Sequence, residues 1–82
     1  MVVTLLTRAG CSACARALAD LEPLCSDHAV QLSVVDVDEA AADDPELRAE
    51  FGDRLPVVLL DGVEHSYGDV DEARLRADLR AR

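Results

Sequence analysis

Cys11-Ser12-Ala13-Cys14 stands where an apolar run gives way to a helical pattern, and this junction restricts the possible folds more than any other stretch of the chain. Before it, Val2-Val3-Thr4-Leu5-Leu6 is nearly continuous, apolar and β-branched, the signature of a short strand covered on both faces. Thr7-Arg8-Ala9-Gly10 interrupts that run. After it, Cys14, Leu18, Leu21 and Cys25 recur at spacings of four, three and four, which puts them on one face of a helix. Cys11 is then placed at the helix amino terminus, where unpaired N–H groups and aligned peptide dipoles favour a negative charge. A thiolate is the nucleophile of thiol–disulfide exchange, and a pKa lowered toward working pH makes one available. Cys14 falls on the inward stripe. The spacing therefore divides the roles: Cys11 attacks a disulfide, and the sheltered Cys14 resolves the mixed disulfide. Zinc sites share the C-x-x-C spacing, but a strand–helix junction inside a βαβ unit is the context that a redox pair requires.

The rest of the chain supplies that unit. Pro23 predicts an end or bend of the first helix near Leu21 or Glu22, because the residue before proline avoids the α region. Leu32 to Val37 is a second strand rich in β-branched residues. Asp44-Pro45-Glu46 predicts a helix start, with an N-cap acid, proline at the first position and an acid in the first turn. Leu47 and Phe51 share one face of that helix, and Gly52 closes it. Val57 to Leu60 is a third, wholly apolar strand. Asp61-Gly62 is a two-residue hairpin turn that leads through Glu64 to Tyr67, a fourth strand. Asp71 caps a last helix, with Leu75 and Leu79 inward and Arg80 and Arg82 near its negative end. The order β-α-β-α-β-β-α predicts one α/β domain over residues 1–82, a four-stranded mixed sheet covered by helices. Its first two strands are parallel, with a right-handed crossover, and the hairpin adds an antiparallel edge.

Composition narrows the function. A chain of 82 residues holds a single core and no second domain. Half of it is hydrophobic and 30% charged, which excludes disorder. The eight basic residues are all arginine and face seventeen acids, for a net charge of −9. That balance disfavours nucleic acid and anionic membrane. Phe51 and Tyr67 are the sole aromatic residues, so the core is aliphatic and no base-stacking platform exists. The opening Met1-to-Leu6 run is too short for a signal peptide or a membrane span and lacks a basic region, which predicts a cytoplasmic protein. Thiols there are kept reduced, so three cysteines point to chemistry or metal rather than to structural staples.

Other candidate residues carry weaker signals. Arg8, three residues before Cys11, is placed to stabilise a thiolate and to hold an anionic thiol through a bidentate carboxylate contact; Arg16 is expected to face solvent. Cys25 and His28 extend the cysteine pair to C-x-x-C-x(10)-C-x-x-H, a zinc-like spacing. Geometry opposes that reading, because Cys14 and Cys25 are eleven residues apart and a continuous helix separates them by about 16 Å. The same separation opposes a disulfide from Cys25, whose partner Cα must lie within about 7 Å. Cys25 is thus expected as a small buried hydrophobe, and His28 as an exposed turn residue. His65 reads as a surface histidine on an edge strand. The acids between Asp36 and Glu50 read as a solvated face without a metal-ligand pattern. For Leu55-Pro56, at the start of the third strand, residue statistics favour a trans bond.

Two motifs together resemble the glutaredoxin-like proteins of the thioredoxin-fold superfamily: Leu6-Thr7-Arg8-Ala9-Gly10-Cys11-Ser12-Ala13-Cys14 and Arg54-Leu55-Pro56-Val57-Val58-Leu59-Leu60-Asp61-Gly62. Their order and spacing match over nearly the whole chain, about residues 2 to 79. The resemblance implies that Cys11 is the nucleophile and Cys14 the resolving thiol. It implies that Pro56 is a cis proline facing the pair, and that the Leu55 backbone pairs with a bound peptide or glutathione. It also places a basic residue, Arg8, three before the first cysteine. Thioredoxin itself fits less closely, because Gly10 replaces its tryptophan before the motif. Ser12-Ala13 replaces the Pro-Tyr of glutaredoxins, Arg54-Leu55-Pro56 replaces Thr-Val-Pro, and Ser66-Tyr67-Gly68-Asp69 stands where a Gly-Gly segment helps bind glutathione.

The expected activity is therefore that of a monomeric dithiol–disulfide oxidoreductase with no bound cofactor. It would reduce a disulfide-containing protein or a small mixed disulfide. Its electrons would come from glutathione, another low-molecular-weight thiol, or a thioredoxin-reductase-type enzyme. Two alternatives stand beside it. One is a non-catalytic module holding zinc, or an iron–sulfur cluster bridging two chains through Cys11; the other is an interaction module with vestigial cysteines.

Overall fold

The computed structural model describes residues 1–81, so Arg82 and its expected place near the last helix end lie outside it. In chain order the elements are β1 (Val2–Thr7), α1 (Ser12–Asp27), β2 (Gln31–Asp36), α2 (Val37–Ala40), α3 (Pro45–Phe51), β3 (Val57–Leu60), β4 (Val63–Tyr67) and α4 (Glu72–Arg80). The four strands form one sheet in the order β2-β1-β3-β4. β1 runs parallel to β2 and antiparallel to β3, and β3 and β4 form the antiparallel hairpin.

The two continuous apolar strands lie in the middle because each must fill two faces. Val3 and Leu5 of β1 point to one side with Val58 and Leu60 of β3, where α1 and α4 cover them with Leu21, Leu24, Leu75 and Leu79. Leu6, Val57 and Leu59 point to the other side, under Val37 and Phe51 of α2 and α3. The result is a three-layer α/β/α sandwich with an aliphatic interior, in which Phe51 is the lone buried aromatic and no charged residue is buried among the described residues. Each leucine sealed in this way, such as Leu5 or Leu21, contributes about 1.5–3 kcal/mol from burial.

The hairpin forms as the sequence predicts. Asp61 and Gly62 adopt φ of 50° and 85°, the left-handed pair that a tight two-residue turn demands. The turn also fastens the chain's start: Asp61 Oδ1 accepts from the Val2 N–H at 2.8 Å.

Three details differ from the sequence expectation. α1 does not end before Pro23 but continues through it to Asp27. Pro23 and Ala19, whose carbonyl loses its helical donor to the proline, are both exposed residues, while buried Leu21, Leu24 and Cys25 hold both flanking turns on the sheet. The strand expected to reach Val37 stops at Asp36, because the Asp36 carboxylate accepts from the N–H groups of Asp38 and Glu39 and starts the additional one-turn helix α2. Asp44 occupies the N-cap of α3 but makes no side-chain capping bond there.

The carboxyl end of α1 closes with a Schellman pattern, Val30 N–H to Cys25 O at 3.0 Å and Ala29 N–H to Ser26 O at 3.1 Å. Its left-handed position is held by Ala29 at φ 54° instead of the usual glycine. Val30 packs on the cluster that contains Cys25, the apolar contact that accompanies this cap.

Candidate active site at the amino end of α1

The loop from β1 to α1 turns at Gly10, whose φ of 80° suits a residue without a side chain. Cys11 N–H donates to Arg8 O at 3.3 Å, which folds the loop back on itself just before the helix. Cys11 is the N-cap residue: its backbone is extended at φ −87° and ψ 106°, and its Sγ accepts from the Cys14 N–H at 3.2 Å. An N–H aimed at a sulfur stabilises that sulfur's anion more than its neutral thiol. No acid occupies the first turn of α1 to oppose this.

Cys11 and Cys14 are joined as a disulfide, with Cα atoms 5.2 Å apart. The two sulfurs are nevertheless unequal. Cys11 is partly exposed, whereas Cys14 is only 2% exposed on the inward face of the helix. Cys11 Sγ is therefore the more accessible sulfur of the pair.

The Leu55–Pro56 bond is cis, as the resemblance implies and against the trans form that residue statistics favour. Leu6 pairs with Val57 across the β1–β3 ladder, so buried Pro56, one residue earlier, reaches the same end of the sheet from which the chain leaves β1 toward Cys11. Pro56 O accepts from the Gly68 N–H at 2.8 Å, which ties the end of β4 to this loop. Leu55 is half-buried and packs against the second core cluster. The parallel pairing of Thr7 with Asp36 brings the start of α2 to the same end as well. Ligands of open α/β sheets bind where strand ends gather in this way.

Arg8, expected beside the thiol, has its guanidinium occupied. Its Nε and Nη2 donate to the two carboxylate oxygens of Asp38 at 2.8 and 3.2 Å, and Nη1 to Gly52 O at 3.4 Å. The hydrogen bond from Arg8 holds the Asp38 carboxyl below the usual carboxylate range, and the Asp38 bond in turn raises the arginine's pKa. Gly52 has an ordinary helical φ of −61°, so its role is space. A Cβ there would lie 2.5 Å from Arg48 O and 3.4 Å from the Arg8 guanidinium. Arg54 is similarly committed, to Glu64 at 3.0 Å and Glu50 O at 2.9 Å, with its guanidinium over the Phe51 ring. Asp38 is a site feature that the sequence reading missed; its i, i+2 relation to the capping Asp36 was the available signal.

The remaining candidates are sorted by position. Cys25 is 2% exposed at the far end of α1, and burial pushes its thiol pKa up. His28 is half-buried at the C-cap rather than exposed, because its backbone N–H continues the helix to Leu24 O. No group of three or more His, Cys, Asp or Glu side chains among the described residues is gathered to hold a metal ion. His65 is not a surface histidine: its side chain is only 5% exposed. The β3–β4 register shifts between Val58 and Leu59, leaving His65 as the extra, unpaired residue of a bulge. A bulge re-aims its side chain, and here the ring meets Asp78 of α4, with Nε2 2.7 Å from the carboxylate. Beside it an open cleft of about 500 Å³ is bounded by Glu64, Tyr67, Asp69, Asp71 and Arg74; Gly68, between two of these, is the residue whose N–H reaches Pro56 O. No helix among the described residues is long and apolar enough to cross a membrane.

Comparison with known proteins agrees with this arrangement. The structure is similar to thioredoxin 1 of Thermosipho africanus, with a TM-score of 0.65 and 15% identity over 99% of this chain and 92% of that one. It is also similar to a thioredoxin variant of Halobacterium salinarum, with a TM-score of 0.65 and 22% identity over 98% of this chain and 72% of that one. Both likenesses establish the thioredoxin fold. In sequence, uncharacterized proteins of Mycobacterium tuberculosis and Mycobacterium bovis are 60% identical over 78 residues, covering 94% of this chain and 80% of theirs. The model of the glutaredoxin-like domain (DUF836) matches residues 2–80. With that match over almost all of its length, the chain belongs to the glutaredoxin-like domain family, built on the thioredoxin fold.

Proposed function

We propose that this protein is a dithiol–disulfide oxidoreductase working through Cys11 and Cys14. In the reduced protein the Cys11 thiolate attacks one sulfur of a substrate disulfide. A Cys11–substrate mixed disulfide forms, and the first substrate thiolate leaves and takes a proton. Cys14, as its thiolate, then attacks Cys11 Sγ. The Cys11–Cys14 disulfide forms and the second substrate thiol departs, so two electrons have passed from the protein pair to the substrate. The observation that carries this reading is the N-cap position of Cys11, whose sulfur accepts a helix N–H while its partner is sealed beneath it. The cis Leu55–Pro56 segment at the same sheet end supports the further assignment of the Leu55 backbone and Pro56 to the docking of an extended substrate. The electrons that regenerate the dithiol come from a low-molecular-weight thiol such as glutathione, or from a thioredoxin-reductase-type flavoenzyme.

The experiment is a disulfide-reduction assay on the purified protein with each donor system supplied separately. Catalysed turnover with either glutathione plus its reductase or thioredoxin reductase is the expected result, and the productive arm identifies the donor. Failure to accelerate reduction in both arms, and stoichiometrically with the prereduced protein, would overturn the assignment.

A further inference from the structure

Three arginines near the cis-proline loop, the β1–α1 loop and the cleft beside β4 are each bound to a carboxylate. Arg8 makes a two-point contact with Asp38 and adds Gly52 O. Arg54 holds Glu64. Arg74 holds Asp71 and the carbonyl of His65. On Arg8 the Nε/Nη2 edge, one of the parallel N–H pairs that bidentate carboxylate recognition uses, is filled by Asp38, and Nη1 is turned to Gly52 O. Asp36 and Glu39 stand at the start of α2 on this same sheet end, and Asp69 borders the adjoining cleft. Arg16, exposed one turn into α1, adds a single cation that these acids outweigh. A net charge of −9 gives this local field its sign over longer distances.

We propose that the active site selects neutral and cationic disulfides and turns away anionic ones, with Asp38 as the specificity-determining residue because it keeps the Arg8 guanidinium occupied. The inference rests on the oxidoreductase reading above and names its substrate class: disulfides whose neighbouring groups are ammonium, guanidinium or uncharged. An anionic thiol gains the Nε/Nη2 fork of Arg8 only by displacing Asp38. A basic peptide segment, by contrast, meets Glu39, Asp69 and the Asp36 carboxylate oxygen that does not cap α2.

The test is single-turnover oxidation of the prereduced protein by three small disulfides: dicationic cystamine, neutral hydroxyethyl disulfide and dianionic dithiodipropionate. The protein's two thiols supply both electrons, so no other reductant enters. Each rate is divided by that of free mercaptoethanol with the same disulfide, which removes intrinsic reactivity. At low ionic strength the corrected rate for cystamine should exceed that for dithiodipropionate by about tenfold, with the neutral compound between them. Raising the salt should bring the two charged compounds to within about twofold of each other. Asp38→Asn should raise the dithiodipropionate rate about fivefold relative to the hydroxyethyl disulfide rate of the same variant, by freeing the bidentate fork. Adding Arg8→Gln to it should cancel that gain. A dianion reduced as fast as the dication at low salt overturns the charge selection, and an unchanged ratio in Asp38→Asn overturns the role of Asp38. Lack of reaction with hydroxyethyl disulfide as well would instead remove the oxidoreductase reading on which both depend.

Discussion

The two ends of α1 carry the same side chain to opposite effect. At the amino end Cys11 caps the helix, stays partly exposed and receives an N–H on its sulfur. At the carboxyl end Cys25 is sealed, and burial pushes its thiol toward the neutral form. Within one sixteen-residue helix and its N-cap, a site arranged for an anion and a site that excludes one thus stand near opposite ends. What distinguishes them is the direction of the peptide dipoles and the presence or absence of water, since the chemical group is identical. Cys14 lies between these extremes: it is as buried as Cys25 but within a bond of Cys11.

The largest effect that can break this comparison is on turnover. Cys11→Ser should lower disulfide reduction by more than about a thousandfold, since the attacking atom is lost. Cys14→Ser should keep the first exchange and halt after it, leaving a Cys11–substrate adduct visible by intact mass. Equal loss at the first step in both variants would mean that the two sulfurs are not divided into attacker and resolver.

At the far end of the helix the prediction concerns stability instead. Cys25→Ser places a hydroxyl among Leu21, Leu24 and Val30 and should cost about 1–3 kcal/mol in denaturant unfolding, with turnover per folded molecule retained. Smaller, and of opposite sign, is Ala29→Gly, which should stabilise by about 0.5–1 kcal/mol because glycine accepts the left-handed cap position without strain. An Ala29→Gly variant less stable than its parent would contradict the Schellman assignment.

The smallest effect belongs to the loop that precedes Cys11. Asp38 has a folded-state pKa depressed mainly by the hydrogen bond from Arg8, so the pair stabilises the fold above the unfolded carboxylate pKa of about 3.9. That contribution is lost as pH falls through the depressed value. The partners are exposed, so the difference between Asp38→Asn and its parent should be small at neutral pH and should vanish in acid. A difference that grows on acidification would contradict the ion pair.

How much of this was legible depended on the range over which each feature is encoded. β1, β3 and the hairpin turn are local patterns, with each apolar run or Asp-Gly pair sufficient by itself. The place of Cys11 at a helix start was legible for the same reason. The path of α1 through Pro23 was not, because core contacts on either side outweigh the local preference of the residue before a proline. His65 escaped because a bulge breaks the alternation from which strand faces are read. The cis bond at Pro56 was legible only through the resemblance, since nothing in Leu55-Pro56 itself distinguishes cis from trans. The Arg8–Asp38 pair spans thirty positions and joins a loop to a helix whose start was read as strand, so Arg8 looked free.

The central claim is that the helix amino terminus activates Cys11 and no other thiol. Iodoacetamide capture by the reduced protein, followed against pH and resolved by peptide mass, measures this directly. The account predicts that Cys11 reaches half-maximal reactivity well below the ordinary thiol pKa of about 8.5, while Cys25 stays unlabelled in the folded protein. A Cys11 that titrates at or above that ordinary value, or a Cys25 labelled as readily, would contradict it.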